Sequence, residues 1–191
     1  MQTSTITKLD AARRQLVTAI RLFFNRGDPI SVFSLAANAW EVIDALCTRK
    51  GIAGVSHLTR SHIPPERDLK KDYVNSPYRN FFKHADHDPE ALLEGFGGKV
   101  VDGLIFLAAD DYMRLAGKSP VEFQVFQLWY LAVNVEKVAA GELRKILEAV
   151  EVKFSKIRTL QREEQIVLGK SVLDNALLDN GLLKDPKTEA S

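Results

Sequence analysis

The chain has 191 residues, room for one domain with a real core, and 46% apolar with 27% charged residues is globular and not disordered composition. A formal charge of +1 excludes a global polycation, so any nucleic-acid contact has to use a local basic patch. Cys47 is the only cysteine, which excludes an intrachain disulfide and a cysteine-based zinc site.

The first residues are polar and helix-forming, with no basic segment leading into an apolar run, so no secretory signal is expected. Thr7-x-x-Asp10 resembles a capping box. Behind it, Leu9, Ala12, Leu16, Ile20 and Phe23 repeat with the 3.6-residue period, and Asn25-Arg26-Gly27 stops the helix. Asp28-Pro29 turns the chain, and Ser31 is positioned to cap a second helix. Its face reads Val32, Leu35, Ala36, Ala39, Ile43 and Leu46, and Lys50-Gly51 ends it. Two long amphipathic helices with a short connection predict an antiparallel hairpin.

Over residues 51–75 the pattern weakens. His57, His62 and Pro64-Pro65 read as loop, followed by a short charged helix over 65–74. Ser76-Pro77 has the form of an N-cap with proline in the first helical position, predicting a helix from 77 to 86. Asp88-Pro89-Glu90 repeats that signal and predicts a brief helix closed by Gly95, Gly97 and Gly98. The segment Gly95-Phe96-Gly97-Gly98-Lys99 has the wrong spacing for a phosphate loop and reads as a glycine-rich turn.

The helix expected over 98–117 is the most apolar, with Val100, Val101, Leu104, Ile105, Leu107, Ala108, Tyr112 and Leu115, and belongs at the centre. Ser119-Pro120-Val121-Glu122 is the clearest start signal, opening a helix that carries Phe123, Phe126, Trp129, Tyr130 and Val133. From Gly141, Leu143, Leu147, Val150, Phe154 and Ile157 follow a heptad spacing that Gln161 breaks. A last helical piece is expected over 166–178, ended by Asp179-Asn180-Gly181. The apolar stretches are interrupted by Asp102, Asp110 and Asp111 or by Gln124, Gln127 and Asn134, so no membrane span is expected. The predicted fold is all-α: one domain over 1–180, a bundle of about six or seven helices with a long C-terminal amphipathic helix, and a frayed tail over 181–191. With its lone cysteine, the chain is expected to be cytoplasmic.

Chemistry concentrates in residues 76–90, where ionisable side chains stand among aromatics. Arg79, Lys83 and His87 share one helical face, while Tyr78, Phe81, Phe82 and Ala85 supply a packing face. Arg79, Asn80 and His84 are the candidate catalytic residues. A histidine exchanges protons near neutral pH, and an arginine offers a two-pronged fork for phosphate. Residues five apart on an α-helix lie about 140° apart, so Arg79 and His84 would meet only across a groove or a symmetry axis. A metal alternative uses His84, His87 and Asp86, since imidazole with carboxylate suits zinc, iron or nickel. Asp110 and Asp111 interrupt the apolar central helix. One of them is expected to face inward and need a partner, for which Arg79 or His84 is a candidate. The basic residues of the first and last helices are interleaved with acidic ones and read as solvated faces.

The Arg79-Asn80-Phe81-Phe82-Lys83-His84 arrangement resembles that of the HEPN superfamily, helical proteins that include metal-independent ribonucleases. The resemblance implies a dimer that joins two motifs around RNA, with His84 as general acid or base, Arg79 on the phosphate and Asn80 orienting one of them. More of the chain resembles a group of uncharacterised bacterial helical proteins. It shares with them Leu9-Asp10-Ala11-Ala12-Arg13-Arg14-Gln15-Leu16, Asp28-Pro29-Ile30-Ser31 and Asn80-Phe81-Phe82-Lys83-His84-Ala85-Asp86; that likeness implies no particular activity. Two functions are therefore expected in competition. One is a non-catalytic interaction or scaffold module, homodimeric and with a protein partner. The other is a HEPN-like ribonuclease or RNA-binding protein. No cofactor is implied by either.

Overall fold

The computed structural model describes residues 5–86, 88–137, 148, 150 and 152–191. Its described residues are mostly helical, and each helix boundary has a local cause. Helix α1 (Lys8–Phe24) starts at the expected capping box: the Thr7 hydroxyl accepts from the Asp10 N–H at 3.0 Å, and the Asp10 carboxylate accepts from the Thr7 N–H at 3.2 Å. Helix α2 (Pro29–Lys50) is capped by Asp28, whose Oδ2 accepts from the Ser31 N–H at 2.8 Å. Ser31 therefore lies inside the helix. Gly51 ends it at a φ of +66°, a left-handed conformation suited to glycine.

By length and composition α2 could cross a membrane. Here its Val32, Phe33, Ala36, Trp40 and Ile43 face is buried by α1 and by α4 (Gly98–Ala116). Helix α4 runs over the span its apolar content predicts, and it also carries α3 (Val55–His62). Helix α5 (Val121–Val133) packs on α4 and α1, and α6 (Arg162–Ala176) closes over α5 and α1. Between them, Phe23, Phe24, Phe126 and Trp129 form an aromatic cluster with ring centroids 5.2–5.9 Å apart. Burying each such ring stabilises the fold by about 1.5–3 kcal/mol.

Several starts differ from expectation. Residues 55–62 form a helix, not a loop, because α3 docks through polar groups and leaves no apolar stripe to read. Its buried residue is Ser56. The helices expected over 65–74 and 77–86 are replaced by one π-helical segment, Leu69–Arg79, with Pro77 inside it. Asp68 caps that segment, and the Asn80 N–H closes it five residues back on the Asn75 carbonyl at 2.9 Å. Ser76-Pro77 thus continues a helix that it was expected to open. Asp88-Pro89-Glu90 forms a turn, with the Ala91 N–H on the Asp88 carbonyl at 2.9 Å. Too few residues separate it from Gly95, at a φ of +71°, to offset helix nucleation.

Ser119 does not cap α5. It pairs with the chain's end, since Ser119–Pro120 (β1) and Thr188–Glu189 (β2) form a parallel bridge. Where the sequence predicts fraying over 181–191, Asp179 caps α7 (Asn180–Leu183), and the Tyr112 hydroxyl donates to Glu189 Oε2 at 2.7 Å. The expected heptad run from Leu143 to Ile157 lies largely outside the described residues. Its described end breaks at Lys156, which has a φ of +61°, and α6 restarts at a Gln161–Glu164 capping box.

Candidate functional site

The 69–93 face is built on the π-helical segment, which lies along α2. Tyr78 and Phe82 hold it down by packing, with Phe96, around the buried Phe33 of α2, at centroid distances of 5.3–5.8 Å. Edge-on aromatic pairs of this kind add about 0.5–1.5 kcal/mol beyond burial. The expected packing face is thus half realised. Tyr78 and Phe82 face the core, whereas Phe81 is exposed.

Arg79 turns toward α2. Its guanidinium pairs with Glu41 through Nη1, and Nη2 donates to Asn38 Oδ1 at 2.8 Å. Lys70 reaches the other Glu41 oxygen at 2.5 Å. Burial works to raise the Glu41 pKa, but the Lys70 and Arg79 charges outweigh it and hold the carboxyl below its ordinary range. Asn38 and Glu41 stand three apart on α2, the spacing that places two side chains on one helix face. That spacing was the available signal for this pair. Nothing in it identifies Arg79 as the partner.

Asn80 and His84 do come together. Both line an open pocket of about 600 Å³ with Ser76, Phe81, Asp88 and Leu92. The His84 N–H donates to the Asn80 carbonyl at 2.9 Å, and its exposed ring has Nδ1 3.9 Å from Asp86 Oδ1. Arg79 does not line this pocket. Of the metal candidates, His84 and Asp86 are neighbours and His87 lies outside the described residues. Among the described residues, no three His, Cys, Asp or Glu side chains gather as a metal set.

Of Asp110 and Asp111 on α4, the inward-facing one is Asp111. Its partner is neither Arg79 nor His84 but the α3 backbone: the Ser56 N–H donates to Asp111 Oδ1 at 3.2 Å. Asp110 stays near the surface and accepts from Arg114 at 2.6 Å. Three expected surface cations also have internal duties. Arg21 donates to the buried Glu122 at 2.8 and 2.5 Å, and Arg13 donates to the Ala190 carbonyl at 2.5 Å. Arg162 pairs with the buried Asp102 at 2.5 Å and lies 5.0 Å from the Trp129 ring centre.

Comparison with protein-family models, with curated proteins and with solved structures gives no match to this chain.

Proposed function

We propose that the protein is a non-catalytic interaction module: a helical bundle, cytoplasmic, that pairs with a second copy of itself through the 69–93 face. The observation that carries this reading is the exposure of large apolar side chains around one open pocket. Leu92 is 89% exposed and Phe81 37%, both lining it, with Tyr73 exposed on the same segment. Apolar groups clustered in water favour a partner that covers them. The face also carries both charge signs, Lys83 beside Asp86, Asp88 and Glu90, so a two-fold contact can set opposite charges against each other. Arg79 is absent from that pocket and held by Glu41, which suits a structural role for it.

The runner-up is a HEPN-like ribonuclease or RNA-binding protein. In its favour, Asn80 and the exposed His84 share a pocket. Against it, the guanidinium that would hold phosphate is occupied. The two readings separate in one experiment: sedimentation of the wild type and of the Phe81→Asp/Leu92→Asp double variant across a concentration series, with RNA cleavage assayed alongside. We expect a wild-type dimer, a monomeric variant with unchanged helical circular dichroism, and no cleavage. A wild-type monomer at every concentration, or a variant that still dimerises, sinks the proposal. Cleavage lost in His84→Ala would establish the alternative.

A further inference from the structure

A second pocket shares no lining residue with the one that holds Asn80 and His84, and is lined by three helices and the 51–54 connection between α2 and α3. Asp44, Cys47 and Thr48 come from α2, Ser56, His57 and Arg60 from α3, and Asp111 from α4, enclosing about 370 Å³. That is the size of a small-molecule site. Asp111 is 1% exposed, and its Oδ2 has no hydrogen-bond partner.

The carboxylate is fixed by its surroundings. A Cβ on Gly54 would overlap Asp111 Oδ1 and lie 2.8 Å from its Cγ, so only glycine lets the backbone approach this closely. The Ser56 N–H holds Oδ1, while the Ser56 hydroxyl accepts from Trp40 Nε1 at 2.8 Å. The Cys47 thiol lies 3.6 Å from the Asp111 main-chain carbonyl, as a weak donor to it. The pocket's one arginine is engaged elsewhere: Arg60 forks onto both oxygens of Asp44 at 2.9 and 2.6 Å. Asp44 and Arg60 therefore cancel, and His57 is exposed at the rim. Asp102 and Glu122, the other buried carboxylates among the described residues, each have a compensating arginine from another helix, even though Glu122 Oε2, like Asp111 Oδ2, lacks a hydrogen-bond partner. Asp111 has a backbone N–H instead.

We propose that this pocket binds a small organic cation with N–H donors, an amine or amidine, whose charged nitrogen pairs with the Asp111 carboxylate after a small side-chain shift turns the enclosed Oδ2 to the cavity. A cation supplies both things the buried carboxylate lacks, a donor for its second oxygen and a compensating charge. A metal ion fits less well. No three-residue ligand set forms among the described residues, and burial pushes the Cys47 thiol up to about 11, which keeps it protonated.

The test uses benzamidine as probe, with neutral benzamide as its near-isosteric control, followed by backbone amide shifts of the 191-residue chain. We expect saturable benzamidine shifts at Gly54, Ser56 and Asp111, and at least tenfold weaker binding of benzamide. Asp111→Asn should weaken benzamidine by a similar factor. The proposal fails if benzamidine gives no saturable shift at these amides, or if benzamide or the variant binds equally well. Should Asp111→Asn not fold, the benzamidine-to-benzamide ratio on the wild type decides alone.

Discussion

Gly169 in α6 offers a sharp test of how the C-terminal helix meets the rest of the fold. Replacing glycine by alanine inside a helix ordinarily stabilises by about 1 kcal/mol, because glycine loses more backbone freedom on folding. At Gly169 a Cβ would collide with Phe24 Cε1 and lie 2.9 Å from both Phe24 Cδ1 and Trp129 Cδ1. Neither ring has a cheap retreat. Phe24 is enclosed by Phe23, Phe126 and Trp129, and the Trp129 indole donates to the Gln165 carbonyl at 2.9 Å. Overpacking of this kind costs about 1–3 kcal/mol, and the upper part of that range applies to a double ring contact. After the helix gain is set against it, Gly169→Ala should lose about 1–2 kcal/mol. At about 2–4 °C per kcal/mol for a chain of this size, Tm should fall by roughly 2–8 °C. Gly103 in α4 is the matched control, since a Cβ there meets nothing within 4 Å. Gly103→Ala should raise Tm by about 2–4 °C. Thermal and urea unfolding followed by circular dichroism measures both. If Gly169→Ala raises Tm as Gly103→Ala does, α6 does not rest on this aromatic cluster and the packing argument is wrong.

Glu41→Gln keeps the shape of the Arg79 site and removes the charge shared by Arg79 and Lys70, so urea unfolding should show a loss of about 1–2 kcal/mol at pH 7. An unchanged midpoint would mean that Arg79 is not held against α2. Asp111 predicts a pH dependence of the opposite kind. Burial raises its folded pKa above the unfolded value near 3.8, despite Ser56 and with help from the nearby Asp110 and Asp44 charges. Its protonated form favours the folded state fully below the unfolded pKa, and that advantage is lost as pH rises through the folded pKa. The wild type should therefore lose stability relative to Asp111→Asn as pH climbs from about 4, at a slope of up to about 1.4 kcal/mol per pH unit inside that window. Urea midpoints of the two proteins between pH 4 and 8 should diverge; parallel profiles would contradict a shifted Asp111.

The helices with apolar stripes were legible, and those held by polar groups were not. Helix α1 carries its capping box and its face openly, and the Gly98 start of α4 follows from its apolar run. Helix α3 is held by the Trp40–Ser56 bond and the Arg60–Asp44 pair, and single polar residues have no periodicity to detect. Ser76-Pro77 misled for a related reason. Proline after serine does favour helix starts, but here the turn before it was already helical, with its bonds reaching five residues back. Arg79 and His84 are five apart and do point to different places, although the residues between them form a turn beyond the π-helical segment and not an α-helix. One side chain went to Glu41 on α2 and the other to the open pocket.

Asp111 shows where sequence reading stops for a chemical reason. The expectation that one aspartate of α4 faces inward rests on the apolar residues around it, and it names the right pair of candidates. Choosing its partner is a different problem. Arginine and histidine are visible as letters, so a reader pairs a buried carboxylate with one of them, and for Asp102 and Glu122 an arginine does serve. A backbone N–H is present at nearly every residue and marks none of them. The clue to Asp111 was a glycine, Gly54, whose missing side chain lets α3 begin against the carboxylate. An aspartate neutralised by arginine is complete within the fold. One held by a single N–H, with its second oxygen bare, still has bonding capacity for something that arrives from outside.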